Sequence, residues 1–326
     1  MMHQRRGIAL LVALWLIVAI AIVMLQFGLV ASERRSLGLS ASDRGHYRAI
    51  AAGALATMQA RLEYDLRNTP TGRGNVQALR SADPWLGADT TYTGPIAVDS
   101  MPVDVVATDL GTLVNINRAN EQQLTLLLGF ALDDGVAGRK IARAIMDWRD
   151  LDDNARPDGA EREQYIDADY LVLPTNSSFL EIDDLIHVYG MTPELLELIR
   201  PYVTTVGTQN PNVNTAPEPV LRSIPGMTDV IYNQIIAFRS QGRRIQNIND
   251  LTNAVGAVGG RGGDAGRGGQ NPQQALAQRM ASQIAFSTNQ LQLTFFVRDT
   301  ANAQPTKVVA MLTRAGQGVN VTWQRW

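Results

Sequence analysis

The chain has 326 residues, 45% of them hydrophobic and 18% charged, with a formal net charge of −2. That length and apolar content exclude a disordered tail and leave room for two ordinary cores, while near-neutral charge argues against a protein devoted to neutralising nucleic-acid phosphates. The absence of cysteine removes disulfide frameworks, thiolate metal cages and cysteine nucleophiles together.

Residues 8–31 form an apolar run with no formal charge, in which Gln26 is the one strongly polar residue. As a helix the run would extend about 36 Å, enough to cross about 30 Å of hydrocarbon. Arg5 and Arg6 precede it and predict a cytoplasmic N-terminus, with the rest of the chain on the far side. The run is longer than the apolar region of an ordinary secretory signal, and no small-x-small cleavage site closes it. From Ser32 to about Leu66 there is no proline, and Leu55, Met58, Leu62 and Leu66 recur at helical spacing. The helix is therefore expected to continue until Thr69-Pro70-Thr71-Gly72. Tyr92 to Val114 reads as strand, with Pro95, Pro102 and Gly111 marking turns.

A repeat follows. Asn115-Ile-Asn-Arg-Ala119 and Asn212-Val-Asn-Thr-Ala216 match at both Asn and at Ala, and the match runs on through Leu124, Leu127 and Gly129 against Leu221, Ile224 and Gly226. Its second half recurs at Leu185, Val188 and Gly190, and more weakly at Leu251, Ala254 and Gly256. The pattern predicts short helices capped by Asn or Thr, each followed by a glycine turn.

Within this region the segment 147–161 concentrates acids. Counting Asp150 as ligand position 1 puts Asp152, Asn154, Asp158 and Glu161 at positions 3, 5, 9 and 12, the oxygen spacing of an EF-hand loop. Ala155 replaces the glycine such a loop needs at position 6, so the backbone path must differ. On spacing alone, a cation loop and a solvated acidic turn fit equally well.

The run 256–270 is mostly glycine and is expected to be a flexible loop. Three strands are predicted beyond it, at 291–297, 307–313 and 319–323. The histidines are His3, His46 and His187, and neither a metalloprotease nor a serine-hydrolase motif is present, so no enzyme is expected.

Arg6-Gly7-Ile8, a basic leader ending in glycine before an apolar run, resembles the class III signal of type IV pilins and type II secretion pseudopilins. The resemblance implies cleavage by a prepilin peptidase between Gly7 and Ile8, and methylation of the new N-terminus. Val12 stands where most pilins carry Glu at the fifth mature position. Among pseudopilins that departure resembles the protein K family of the type II secretion system.

That family implies an α+β fold. A long N-terminal membrane helix leads into a pilin-like antiparallel sheet interrupted by a large all-α insert with helix-hairpin-helix-like (SAM-like) repeats. The implied divisions are a leader at 1–7, a transmembrane segment at 8–31, pilin-like parts at 32–113 and 285–326, and the insert at 114–284. The implied function is to cap the pseudopilus tip with minor pseudopilins I and J, to initiate assembly and to support export of folded proteins across the outer membrane. The globular part would be periplasmic, anchored in the inner membrane, and within reach of exported proteins. The resemblance also implies structural calcium in the insert, with Asp147, Asp150, Asp152, Asp153 and Glu161 as candidate ligands. A membrane-anchored DNA receptor using helix-hairpin-helix turns is the alternative. It is disfavoured by the acids Asp133, Asp134, Glu194 and Asp229 beside those turns.

Overall fold

The computed structural model describes residue 24 and residues 45–68, 83, 85, 91–259, 272–297, 305–316 and 318–325. Gly7, Ile8 and, apart from Met24, the apolar run 8–31 lie outside the described residues. Among those described, no helix is long and apolar enough to cross a membrane.

A helix, α1, occupies 45–68. Tyr47, Ile50, Ala54, Met58, Leu62 and Leu66 recur every three or four residues and are buried, so one stripe of α1 faces a sheet. The sheet has strands β1 (Gly94–Val98), β2 (Met101–Asp109), β5 (Gln290–Val297), β6 (Thr306–Ala315) and β7 (Gly318–Arg325), antiparallel in the order β1-β2-β5-β6-β7. Alternate residues enter the core: Val103, Val105 and Ala107 of β2, Leu291, Leu293 and Phe295 of β5, and Val308, Ala310 and Leu312 of β6. The β2–β5 ladder sets Asp109 opposite Leu291. Residues 110–289 thus hang from the turn of a single antiparallel hairpin.

Those residues build a second core of their own, almost entirely from helices. In chain order they are β3 (Val114–Asn115), α2 (Glu121–Leu132), α3 (Gly135–Arg149), α4 (Arg162–Asp167), α5 (Pro193–Ile199), β4 (Val203–Thr204), α6 (Glu218–Arg222), α7 (Asp229–Ser240), α8 (Ile248–Gly259) and α9 (Pro272–Arg279). Side chains of Asn120, Thr192 and Thr228 cap α2, α5 and α7 as the repeat predicts, whereas Pro217 precedes α6 and offers no side-chain cap.

The two Asn-x-Asn-x-Ala segments fold alike. Asn117 Nδ2 donates to the carbonyls of Phe179 and Thr205 while its Oδ1 accepts from Phe179 N. Asn214 Nδ2 donates to those of Ile245 and Phe286 while its Oδ1 accepts from Ile245 N. Arg149, ending α3, donates to the carbonyls of Ile116 and Ala119. Arg239, near the end of α7, donates to those of Val213 and Ala216 at 2.7–3.0 Å. Burial pushes both guanidinium groups down to about 10.

Two glycine assignments are corrected. Gly190 and Gly226 are turn residues, with φ of +81° and +88°. Gly129, in contrast, lies inside α2, and the left-handed residue is Asp133, at φ +52°. Gly129 is small because α3 crosses it: a Cβ built on Gly138 would stand 2.4 Å from Gly129 N. Gly256 likewise lies within α8, so 256–259 is helical rather than loop.

The seam between the two cores is polar and buried. Asp83 Oδ2 accepts from Arg244 Nη2 at 3.1 Å and from Thr288 N at 3.0 Å, and Thr288 Oγ1 donates to Asp109 Oδ2 at 2.7 Å. Burial holds the Asp83 carboxyl above its ordinary pKa, against the opposing pull of the Thr288 amide and Arg244.

Candidate metal centre

α3 delivers Asp147 in its last turn and ends on the C-cap Asp150, after which the chain loops back to Glu161, the N-cap of α4. Asp147 Oδ2 accepts from Arg156 N at 3.2 Å and Ala160 N at 2.9 Å, which pulls the loop 156–160 over the helix end. Gly159 makes that closure possible, because a Cβ there would lie 2.0 Å from Asp147 Oδ2. Behind the loop, Trp148 stacks on Phe179 with ring centroids 5.9 Å apart, and Tyr165 of α4 packs against Trp148, Tyr170 and Tyr189.

One carboxylate oxygen from each of Asp147, Asp150 and Glu161 lies within 4.8 Å of the others. Asp147 is fully buried and Glu161 is 2% exposed. Both Glu161 oxygens and Asp150 Oδ1 are buried without a hydrogen-bond partner among the described residues. Burying an ionised carboxylate without a partner is costly, so Glu161 is pushed up to about 7 by burial and by the charges of Asp147, Asp150, Asp153 and Asp152. Burial likewise raises Asp147, opposed by its bonds to Arg156 and Ala160.

These features fit a hard divalent cation. Oxygens so spaced can share one calcium ion at about 2.3–2.6 Å from each, and an all-carboxylate donor set suits calcium better than zinc. The other two candidates lie outside this triad and are exposed. Asp152 Oδ1 accepts from Asn154 N and Nδ2, which hold its carboxyl below the usual range. Asp153 Oδ1 accepts from Asn176 Nδ2 at 2.8 Å. The residue the sequence reading missed is Arg156, whose Nη1 lies 2.5 Å from both Asp147 Oδ1 and Asp150 Oδ2.

The tyrosines link this loop to a hairpin turn. Tyr189 N donates to Tyr165 Oη at 2.7 Å and Gly190 N to Tyr170 Oη at 3.1 Å. Amides that a nucleic-acid phosphate would need at that turn are thus already taken.

Comparison with known proteins gives a consistent result. Two family models described as type II secretion system protein K match residues 73–208 and 211–268, together more than half of the chain. Type II secretion system protein K of Pectobacterium carotovorum subsp. carotovorum is 28% identical over 239 residues, covering 67% of this chain and 69% of that protein. The fold is similar to that in the crystal structure of the GspK-GspI-GspJ complex from the enterotoxigenic Escherichia coli type 2 secretion system. The TM-score is 0.62 at 15% identity, over 88% of this chain and 97% of that one.

Proposed function

We propose that this chain, which belongs to the protein K family of the type II secretion system, caps the tip of the pseudopilus. It is a minor pseudopilin of that system, and its expected partners are minor pseudopilins I and J, since the similar solved fold is from a complex with two such proteins. The observation that supports a tip position is the insert: residues 110–289 form a separate core mounted on one end of the β2–β5 hairpin. Such a mass leaves no room for a further subunit stacked on that end. Val12 agrees with this reading, because a subunit with no neighbour above it has no ammonium to pair with a buried Glu.

The action is packing rather than catalysis. The apolar run 8–31 anchors the chain in the inner membrane after a prepilin peptidase cuts between Gly7 and Ile8, and the globular part stands in the periplasm, in reach of exported proteins. Asp147, Asp150 and Glu161 hold calcium and so fix the loop 150–161 over α3 and α4. Calcium would supply the positive charge that this carboxylate set needs beyond the single guanidinium of Arg156. Asp152 and Asp153 contribute to the negative field from the rim.

Labelling the insert tests the tip position. In cells making extended pseudopili, the label is expected at filament ends, and label spaced along the shafts would overturn it. The mass of the mature protein tests the anchor: loss of residues 1–7 is expected only in cells with prepilin peptidase, and retention in both strains would overturn the cleavage.

A further inference from the structure

The loop that carries the candidate ligands also carries its own cation. Arg156 reaches Asp147 and Asp150 with one nitrogen, Nη1, at 2.5 Å from each, and its backbone N–H is bonded to the second oxygen of Asp147. Its side chain is 30% exposed, so the pair is shielded on one side and open to water on the other. The neighbouring arginines are committed elsewhere: Arg149 to the carbonyls of Ile116 and Ala119, and Arg143 to Glu121 and the Pro157 carbonyl. Three carboxylates facing one guanidinium leave Glu161 and Asp150 Oδ1 without a partner. The set is thus partly, not fully, neutralised.

We infer that Arg156 is a resident counter-cation, holding Asp147 and Asp150 together in the metal-free protein and opposing entry of a divalent ion into the same carboxylates. The inference rests on the calcium reading above. Two consequences come from the same charge. Without calcium, the guanidinium relieves repulsion among acids packed within 4.8 Å and keeps the loop closed. With calcium, a positive charge beside the ion raises the concentration at which the site fills. The insert would keep its shape where calcium is scarce and load the ion only where it is plentiful.

The test uses the full chain in detergent, stripped with a chelator and titrated with calcium chloride by calorimetry, beside thermal melting with and without calcium. R156Q is expected to bind calcium about tenfold or more tighter than the natural chain and to melt lower in chelator, and R156K to bring both values back towards the natural ones. Unchanged or weaker binding by R156Q, with the natural chain still binding, overturns the role of Arg156 and leaves the calcium reading standing. No binding by either chain overturns the calcium reading, and this inference with it. An R156Q chain that saturating calcium does not recover also overturns it, since the arginine would then be required in the loaded protein.

Discussion

The two Asn-x-Asn-x-Ala units of the insert share a frame and differ in one loop. In the first, 29 residues separate Arg149 from Phe179, and they hold Asp150, Glu161 and Arg156, which close on Asp147 of the helix before them. In the second, only Ser240 to Arg244 separate Arg239 from Ile245, and that short loop is basic. Arg243 lies over the Phe238 ring, 4.2 Å from its centroid, and Arg244 reaches Asp83 across the seam. The same position after the same helix therefore gathers a carboxylate cluster in one unit and attaches to the sheet in the other. The frame is fixed by backbone hydrogen bonding from Asn and Arg, which leaves the connecting loop free to diverge.

That contrast can be broken at several points. Asp83→Ala leaves the Arg244 guanidinium buried without its carboxylate and is expected to cost about 3–5 kcal/mol. Urea denaturation should give the same loss with and without calcium, and a calcium-dependent loss would mean that the two loops are not separate in function. Arg149→Met and Arg239→Met each strip two carbonyls of their donor and are expected to cost about 2–4 kcal/mol. If only one of them destabilises the insert, the units do not share a frame.

The acid loop makes the stability of the metal-free protein depend on pH. Glu161 is raised from its ordinary 4.5 to about 7 in the folded chain, so the native state favours its protonated form. The contribution of Glu161 to stability is fully present below pH 4.5 and is lost as pH rises through 7, by on the order of 3 kcal/mol. Melting in chelator at pH 5 and pH 8 should show this loss, and either saturating calcium or Glu161→Gln should abolish it. The smallest effect, about 1–3 kcal/mol, is expected for Gly159→Ala, which pushes Asp147 out of place. Calcium should stabilise this variant less than the natural chain, whereas equal stabilisation would detach Asp147 from the site.

What could be read from sequence was the local pattern. The three strands near the C-terminus are visible because apolar residues alternate, as Leu291, Leu293 and Phe295 do. The stripe on α1 is visible because its spacing is helical. The duplicated Asn motif is visible, and a sharper comparison would also have aligned Trp148-Arg149 with Phe238-Arg239. Gly129 misled because Leu-Gly-apolar looks the same whether glycine serves a turn or lets another helix approach. Spacing pointed to Asp150, Asp152, Asn154, Asp158 and Glu161, and the family resemblance added Asp147 and Asp153, while the fold brings together Asp147, Asp150 and Glu161, which depends on how α3, the loop and α4 fold back. Arg156 escaped notice for the same reason, as did the pairing of β2 with β5 across 180 intervening residues.

The β2–β5 hairpin also determines how the protein would carry a load. Both ends of the insert leave the sheet side by side, at a pair of residues whose Cα atoms are about 5 Å apart. Tension or thrust transmitted along α1 into the sheet passes from β2 to β5 in shear through the ladder of seven paired residues from Val103 to Asp109. It does not run through the α-helices between them. The insert is therefore off that path: load on the sheet passes through the ladder while the carboxylate loop and both helical units lie to one side of it.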